Sequence, residues 1–178
     1  MCLRALVLLG VAPLPLMAAD ALAPVTVCEI LADVPSHEGK EIAVLGRYSF
    51  RRDGRWIGEE SCSMTPIGPA TTTSAKTAPA ITVSATATLN SLWLTEDADG
   101  GPKPPNNFEL DASVLNRKFA DLIKRTALGK FRFGTSDYDR WAVVYGRIVP
   151  RKREDGRKFA ADLVFRGSGV VIFLTTEH

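Results

Sequence analysis

VTVCEILADVPSHEGKEIAVLGRYSFRRDGRWIGEESC, residues 25–62, is the stretch from which the fold can be read. Within it Ile42, Val44, Tyr48 and Phe50 share one parity, the period-2 spacing that puts side chains on one face of a β-strand. Gly46 falls on that same face in mid-strand, where a residue without a Cβ marks a bulge, a sharp bend or a close backbone approach. A strand bent at its middle can serve two sheets, as a small closed barrel requires. Arg52-Asp53-Gly54-Arg55 then reads as a hairpin turn of the Asp-Gly kind. Residues 55–60 return as a second strand carrying Trp56.

About a hundred residues later Ala142-Val143-Val144-Tyr145-Gly146-Arg147-Ile148 echoes Ala43-Val44-Leu45-Gly46-Arg47-Tyr48. The flanks differ, so this is not a tandem repeat. Two bent strands in one barrel face the same steric problem and reach the same answer.

Upstream, residues 1–23 carry one positive charge at Arg4, an apolar run over 5–17, and small residues at Ala18, Ala19, Ala21 and Ala23. This is the pattern of a secretory signal peptide, too short and too proline-interrupted to span a bilayer. Cleavage after Ala19 or Ala21 fits best, because a cut after Ala23 would leave Pro24 beside it. Cys2 precedes the apolar run and leaves with it, so the exported chain keeps Cys28 and Cys62. About 155 residues remain, enough for one domain over 24–178 with a sizeable core. The formal charge is +2, and it survives cleavage because Arg4 and Asp20 leave together. A balance this small argues against a dedicated nucleic-acid binder.

Thr26 and Glu29 have the spacing of a capping box, which predicts a short helix over 27–33 stopped by Pro35. Cys28 then lies on a helical turn just before the first long strand. In an oxidising compartment its simplest partner is Cys62, the alternatives being two free thiols or a bridge between chains.

Residues 63–80 are rich in Thr, Ala and Pro without periodicity and read as a loop. Residues 81–94 are strand material ending in Leu92-Trp93-Leu94, and 96–107 form another loop. Asp97-Ala98-Asp99-Gly100 fails as a calcium loop, because Gly101, Pro102 and Phe108 stand where an acid or amide, a glycine and a glutamate are needed. The long helix spans 111–128, with Leu115, Phe119, Leu122, Ile123 and Thr126 on one face and Arg117, Lys118, Asp121, Lys124 and Arg125 on the other. Asp111 caps its start and Gly129 its end. A second bent strand over 140–149, a basic turn over 150–158, and strands over 160–166 and 170–176 complete the chain. The turn Gly167-Ser168-Gly169 lacks the GxSxG pattern of a nucleophile elbow.

The order predicts a mainly β (α+β) chain: a small five-stranded OB-fold-like barrel, one long helix between strands three and four, and loop insertions at 63–80 and 96–107. The stretch VCEILADVPSHEGKEIAVLGRYS with Cys62, and the later VVYGRIV strand, resembles a group of small exported bacterial OB-fold-like proteins of uncharacterised function. The resemblance covers about half of the exported chain. Its motifs are structural, and it implies no catalytic residues.

Enzyme chemistry finds little support in the sequence. His37 lies in a loop beside Pro35 and His178 is the last residue, so neither offers a base beside a nucleophile or a metal cluster. Glu59 and Glu60 are adjacent and face opposite ways on a strand. There is no phosphate loop, no HExxH and no metal-spaced Cys/His set, and no cofactor is implied. The positive feature is arginine among aromatics: Arg47, Tyr48, Arg51, Arg52, Arg55 and Trp56 in the first hairpin, Arg147 and Arg151 on the fourth strand and its turn. Such sets serve sugar-binding and oligonucleotide-binding barrels and protein hot spots. The competing account makes Tyr48 and Trp56 core and the arginines a solvated rim. The reading favoured is a monomeric, non-catalytic binding module of the cell envelope that engages a protein, glycan or anionic small ligand. Single-stranded nucleic-acid binding is one alternative, disfavoured by export and weak charge, and a hydrolase using scattered carboxylates is another.

Overall fold

The structure, a computed structural model, describes residues 21–60, 62, 90–126, 138–151, 159–167 and 170–175. Residues 1–20 of the signal peptide read over 1–23, the loop at 63–80, residues 81–89 of the strand material read over 81–94, the helix end at Gly129 and residues 152–158 of the basic turn read over 150–158 lie outside them.

The first elements follow the local sequence closely. β1 (Val25–Thr26) runs directly into α1 (Val27–Ala32). The Thr26 hydroxyl accepts from the Glu29 amide at 3.3 Å and the Glu29 carboxylate accepts from the Thr26 amide at 2.7 Å, completing the capping box. Pro35 does not terminate this helix as the sequence predicts. α1 ends at Ala32, and Pro35 lies in the first turn of α2 (Val34–His37), where a missing N–H leaves no helical bond unmade. Asp33 caps that turn, accepting from the Ser36 amide at 3.2 Å.

Five strands close a barrel. β2 (Glu41–Arg51) pairs antiparallel with β3 (Gly54–Gly58), β3 with β4 (Ser91–Glu96), β4 parallel with β6 (Ala161–Phe165), β6 antiparallel with β5 (Tyr138–Pro150), and β5 antiparallel with β2. α3 (Ala112–Arg125) stands in the chain between the third and fourth barrel strands, which is the OB-fold arrangement. Asp111 caps it, its carboxylate accepting from the Ser113 and Val114 amides. Opposed residues trace a row round the outside: Asp139, Ser49, Trp56, Trp93, Asp162, Val149. The row leaves β5 at Asp139 and returns to it ten residues later at Val149. So large a stagger tilts the strands strongly and widens the five-stranded ring until its interior has room for the side chains that fill it.

Two short strands extend the barrel. β1 lies parallel to β2 at Val44 and Leu45, and β7 (Val171–Leu174) lies antiparallel to β5 over Trp141–Val144. One edge of each long strand therefore changes partner part-way. On β2 the change falls between Leu45 and Arg47, and on β5 between Val144 and Arg147. Gly46 and Gly146 mark these points, and each is a close approach. A Cβ on Gly46 would stand 2.9 Å from Ile57 Cγ1 and 3.0 Å from the Gly58 carbonyl oxygen; one on Gly146 would stand 2.7 Å from the Val164 carbonyl oxygen.

The interior is filled by Val44, Tyr48, Ile57, Leu92, Leu94, Ile148, Ala161, Leu163 and Phe165, with Val27 and Ile30 of α1 fully buried against them. The second face of the β2–β5 ladder is buried as well, since Ala43, Leu45, Val143 and Tyr145 are covered from outside. Phe108 packs edge-on against Tyr145 at 6.0 Å, and Phe119 of α3 against Trp141 at 5.7 Å. Burial on both sides explains why residues 42–45 read as a continuous apolar run. Ion pairs hold α3 at its middle and at its C-terminal end, Lys118 to Glu29 at 2.6 Å and Arg125 to Glu59 at 3.1 Å. Glu59 also accepts from the Cys28 amide at 2.8 Å. Beside it Cys28 and Cys62 form a disulfide with Cα atoms 5.2 Å apart.

Candidate binding face

Helix α3 and the turn at Phe108 cover one side of the barrel, so among the described residues the outer surface that remains open is that of β3, β4 and β6. Its centre is a cross-strand pair, Trp56 of β3 directly opposite Trp93 of β4. Both are partly exposed, and their rings lie 6.4 Å apart at 19°. Gly54 makes room for this: at φ +134° it takes a conformation that L side chains rarely adopt, and a Cβ there would overlap the Trp93 ring. Phe159, just ahead of β6, packs against both indoles at 6.2 and 5.2 Å.

Arginines flank the pair. The Arg51 guanidinium lies 5.9 Å from the centre of the Trp56 ring and that of Arg151 5.6 Å from Trp93. The strand order β2–β3–β4–β6–β5 makes this one stack, Arg51 at the end of β2, Trp56, Trp93, and Arg151 just past the end of β5, reaching across β6. Each guanidinium also meets a carboxylate. Arg51 donates to Asp139 at 2.7 Å and to the Phe50 carbonyl at 2.7 Å, while Arg151 pairs with Asp162. The two pairs differ in depth, because the Asp139 side chain is 3% exposed and that of Asp162 18%. Asp162 also accepts from the Thr95 hydroxyl at 3.5 Å. Val149, opposite Asp162, is 41% exposed and extends the surface.

The residues singled out from sequence divide into five groups. Arg51, Trp56 and Arg151 belong to this face. Tyr48 is core, 5% exposed and edge-on to Phe173 at 5.6 Å, so it offers no surface to a ligand. Arg55 points toward the mouth of the barrel, where it pairs with Glu96 at 2.5 Å and lies over the Phe165 ring. Burial opposes its charge, but the Glu96 carboxylate and the Tyr48 hydroxyl outweigh that and hold its pKa above the ordinary value. Arg52 is exposed in the hairpin turn. Arg47 and Arg147 do sit on one face of neighbouring strands, yet the register puts Arg47 opposite Trp141 and Arg147 opposite Glu41. Six ladder positions at about 3.4 Å each keep them roughly 20 Å apart. Arg147 instead pairs with Glu41 at 3.2 Å.

Trp93, Phe159, Asp139 and Asp162 are the members that sequence reasoning misses. Trp93 reads as strand filler between Leu92 and Leu94, and only its register against Trp56 reveals the pair. Phe159 directly follows the basic turn, a position that could have marked it. Among the described residues no group of three or more His, Cys, Asp or Glu side chains is arranged to hold a metal ion. The two most buried carboxylates, Glu59 and Asp139, are each engaged by an arginine. No protein-family model, curated protein or solved structure matches the chain. The fold assignment therefore rests on the strand order, and any functional argument on the face itself.

Proposed function

We propose that the chain is an exported, non-catalytic binding module of the cell envelope that takes its ligand on the outer face of β3, β4 and β6. The observation that carries this reading is the Arg51–Trp56–Trp93–Arg151 stack on a side of the barrel that no helix among the described residues covers. Tryptophan makes a large contact area at low conformational cost, and tryptophan and arginine are both enriched in binding hot spots. A fold whose second and third strands present a ligand surface supports the same placement by analogy. Arg51, Trp56 and Trp93 are anchored by ladder pairing and Arg151 directly follows β5, so the surface is formed before a ligand arrives.

The test is affinity capture from an envelope extract with the oxidised exported chain as bait and Trp93→Ala as control, both shown to be folded by circular dichroism. A component retained by the native chain and lost on the variant supports the reading. Equal retention by both baits overturns it.

Single-strand nucleic-acid binding is a second reading, favoured by Arg151 and Phe159, which bracket a segment rich in Lys and Arg, Lys152, Arg153, Arg157 and Lys158, that also contains Glu154 and Asp155. Affinity that falls steeply with salt is its signature.

A further inference from the structure

Resting on the reading of this face as a binding site, we propose that its ligand is a neutral, hydroxyl-rich glycan. Three observations point this way.

The first is that the indole faces are occupied. Trp56 has Arg51 on its β2 side and Trp93 on its β4 side; Trp93 has Trp56 on one side and Arg151 on the other, with Phe159 edge-on against it. Proteins that hold single strands need open aromatic faces on which successive bases stack. Here such stacking would first have to dismantle the arginine–tryptophan stack, and with it the Arg51–Asp139 pair that keeps a buried carboxylate compensated.

The second is the charge of the array. Two guanidiniums face two carboxylates within it, so a phosphodiester chain laid across β4 and β6 meets Asp162 as soon as it meets Arg151. That arrangement cancels the field a polyanion depends on.

The third is what the surface presents. Between β4, β6 and the end of β5 the Thr95 hydroxyl stands beside the edges of the Asp162 carboxylate and the Arg151 guanidinium, whose side chains are 18% and 12% exposed, a mixed group, an acceptor and a donor bounded by the apolar Val149 and Phe159. A hydroxyl both donates and accepts, so a ring carrying several hydroxyls can match such an alternating set, whereas a phosphate oxygen only accepts.

The test uses four probes with the oxidised, full exported chain: the hexasaccharides of β-1,4-linked N-acetylglucosamine and of β-1,4-linked glucose, a heparin hexasaccharide, and a twelve-nucleotide oligo(dT). Calorimetry and tryptophan fluorescence are read at low and high sodium chloride. The expected result is saturable binding of a neutral hexasaccharide with less than about a twofold change in Kd between the salts. Thr95→Val and Asp162→Asn should each weaken it about tenfold, as loss of a hydrogen-bonding partner does, and Arg147→Ala should leave it unchanged. Binding of oligo(dT) or heparin alone, falling steeply with salt and lost in Trp93→Ala, overturns the glycan inference and leaves the binding face standing. No binding of any probe overturns the glycan inference, and the envelope capture with Trp93→Ala as control then decides the binding face by itself.

Discussion

Gly46 and Gly146 occupy corresponding places in the two long strands of the barrel: each stands where one edge of its strand passes from a short outer partner to a barrel partner. On β2 the partners are β1 and β3, and on β5 they are β7 and β6. The two strands also pair with each other, with Gly46 opposite Ala142 and Gly146 opposite Ile42. The repeated Gly-Arg string is thus a repeated solution to one steric demand, met by two strands in contact.

Alanine at these positions should be costly and unequally so. At Gly146 the new methyl meets the Val164 backbone oxygen at 2.7 Å and Leu163 Cδ1 at 2.8 Å, and a backbone oxygen in a ladder cannot turn aside. At Gly46 the nearest atom is Ile57 Cγ1, part of a side chain that can yield a little. Urea unfolding should show Gly146→Ala losing about 2–3 kcal/mol and Gly46→Ala about 1–2 kcal/mol. Equal losses would contradict the asymmetry.

The disulfide should contribute measurably. Cys28 and Cys62 are 34 residues apart, and closing a loop of that length constrains the unfolded chain by about 3–4 kcal/mol on loop-entropy grounds. Dithiothreitol should lower the Tm of the native chain and leave that of a Cys28→Ser/Cys62→Ser double variant unmoved.

Arginine truncation should separate structural from superficial pairs. Arg51→Ala strands the Asp139 carboxylate, whose side chain is 3% exposed, and should cost about 3 kcal/mol. Arg147→Ala breaks a pair whose side chains are 41% and 43% exposed and should cost no more than about 1 kcal/mol. Guanidinium melts of the two variants check this. Loss of binding on Arg51→Ala would therefore carry little information about contact, and Thr95, Asp162 and Trp93 are the better reporters.

The N-terminal helix should loosen in acid. Burial pushes the Glu29 carboxyl up, but the hydrogen bond from Lys118, the Thr26 amide and the Lys118 charge together bring its pKa below the ordinary glutamate value. A carboxylate with a depressed folded pKa contributes stability that is full above the unfolded value, about pH 4.3, and is lost as pH falls through the folded value. Stability measured from pH 6 down to pH 3 should decline less steeply in Glu29→Gln than in the native chain. Identical profiles would count against the capping box and the Lys118 pair as its source.

Much of the fold is written in local pattern. The alternation around Gly46, the Asp53-Gly54 turn, the Thr26–Glu29 box and the apolar face of α3 each report a short-range requirement, and each recurs in the structure. Pro35 misleads because a proline that stops one helix is equally suited to the first turn of another. β1 and β7 are too short, or too much like the strands beside them, to announce a separate role. The candidate face was only partly legible for a different reason. Parity shows which residues of a strand share a side, but the meeting of Trp56 with Trp93, or of Arg51 with Asp139, depends on register between segments 37 and 88 residues apart. Tyr48 and Trp56 look alike in sequence; the register sends one inward and the other out.

The β2–β5 ladder also sets a timetable. It joins Glu41–Phe50 to Tyr138–Arg147, positions nearly a hundred residues apart, and it is the longest ladder among the described residues. Contacts of such high order form late, since chain closure must come before any of them is made, and domains dominated by them fold in milliseconds to seconds. Until β5 has been synthesised and docked, β2 stands with apolar side chains on both faces and one edge open, a state prone to association with other chains. The β2–β3 hairpin and both cysteines are complete by residue 62, so oxidation can fix that end of the chain while the rest is still emerging. The order of synthesis thereby gives the disulfide a second role, as a guard over an unfinished barrel.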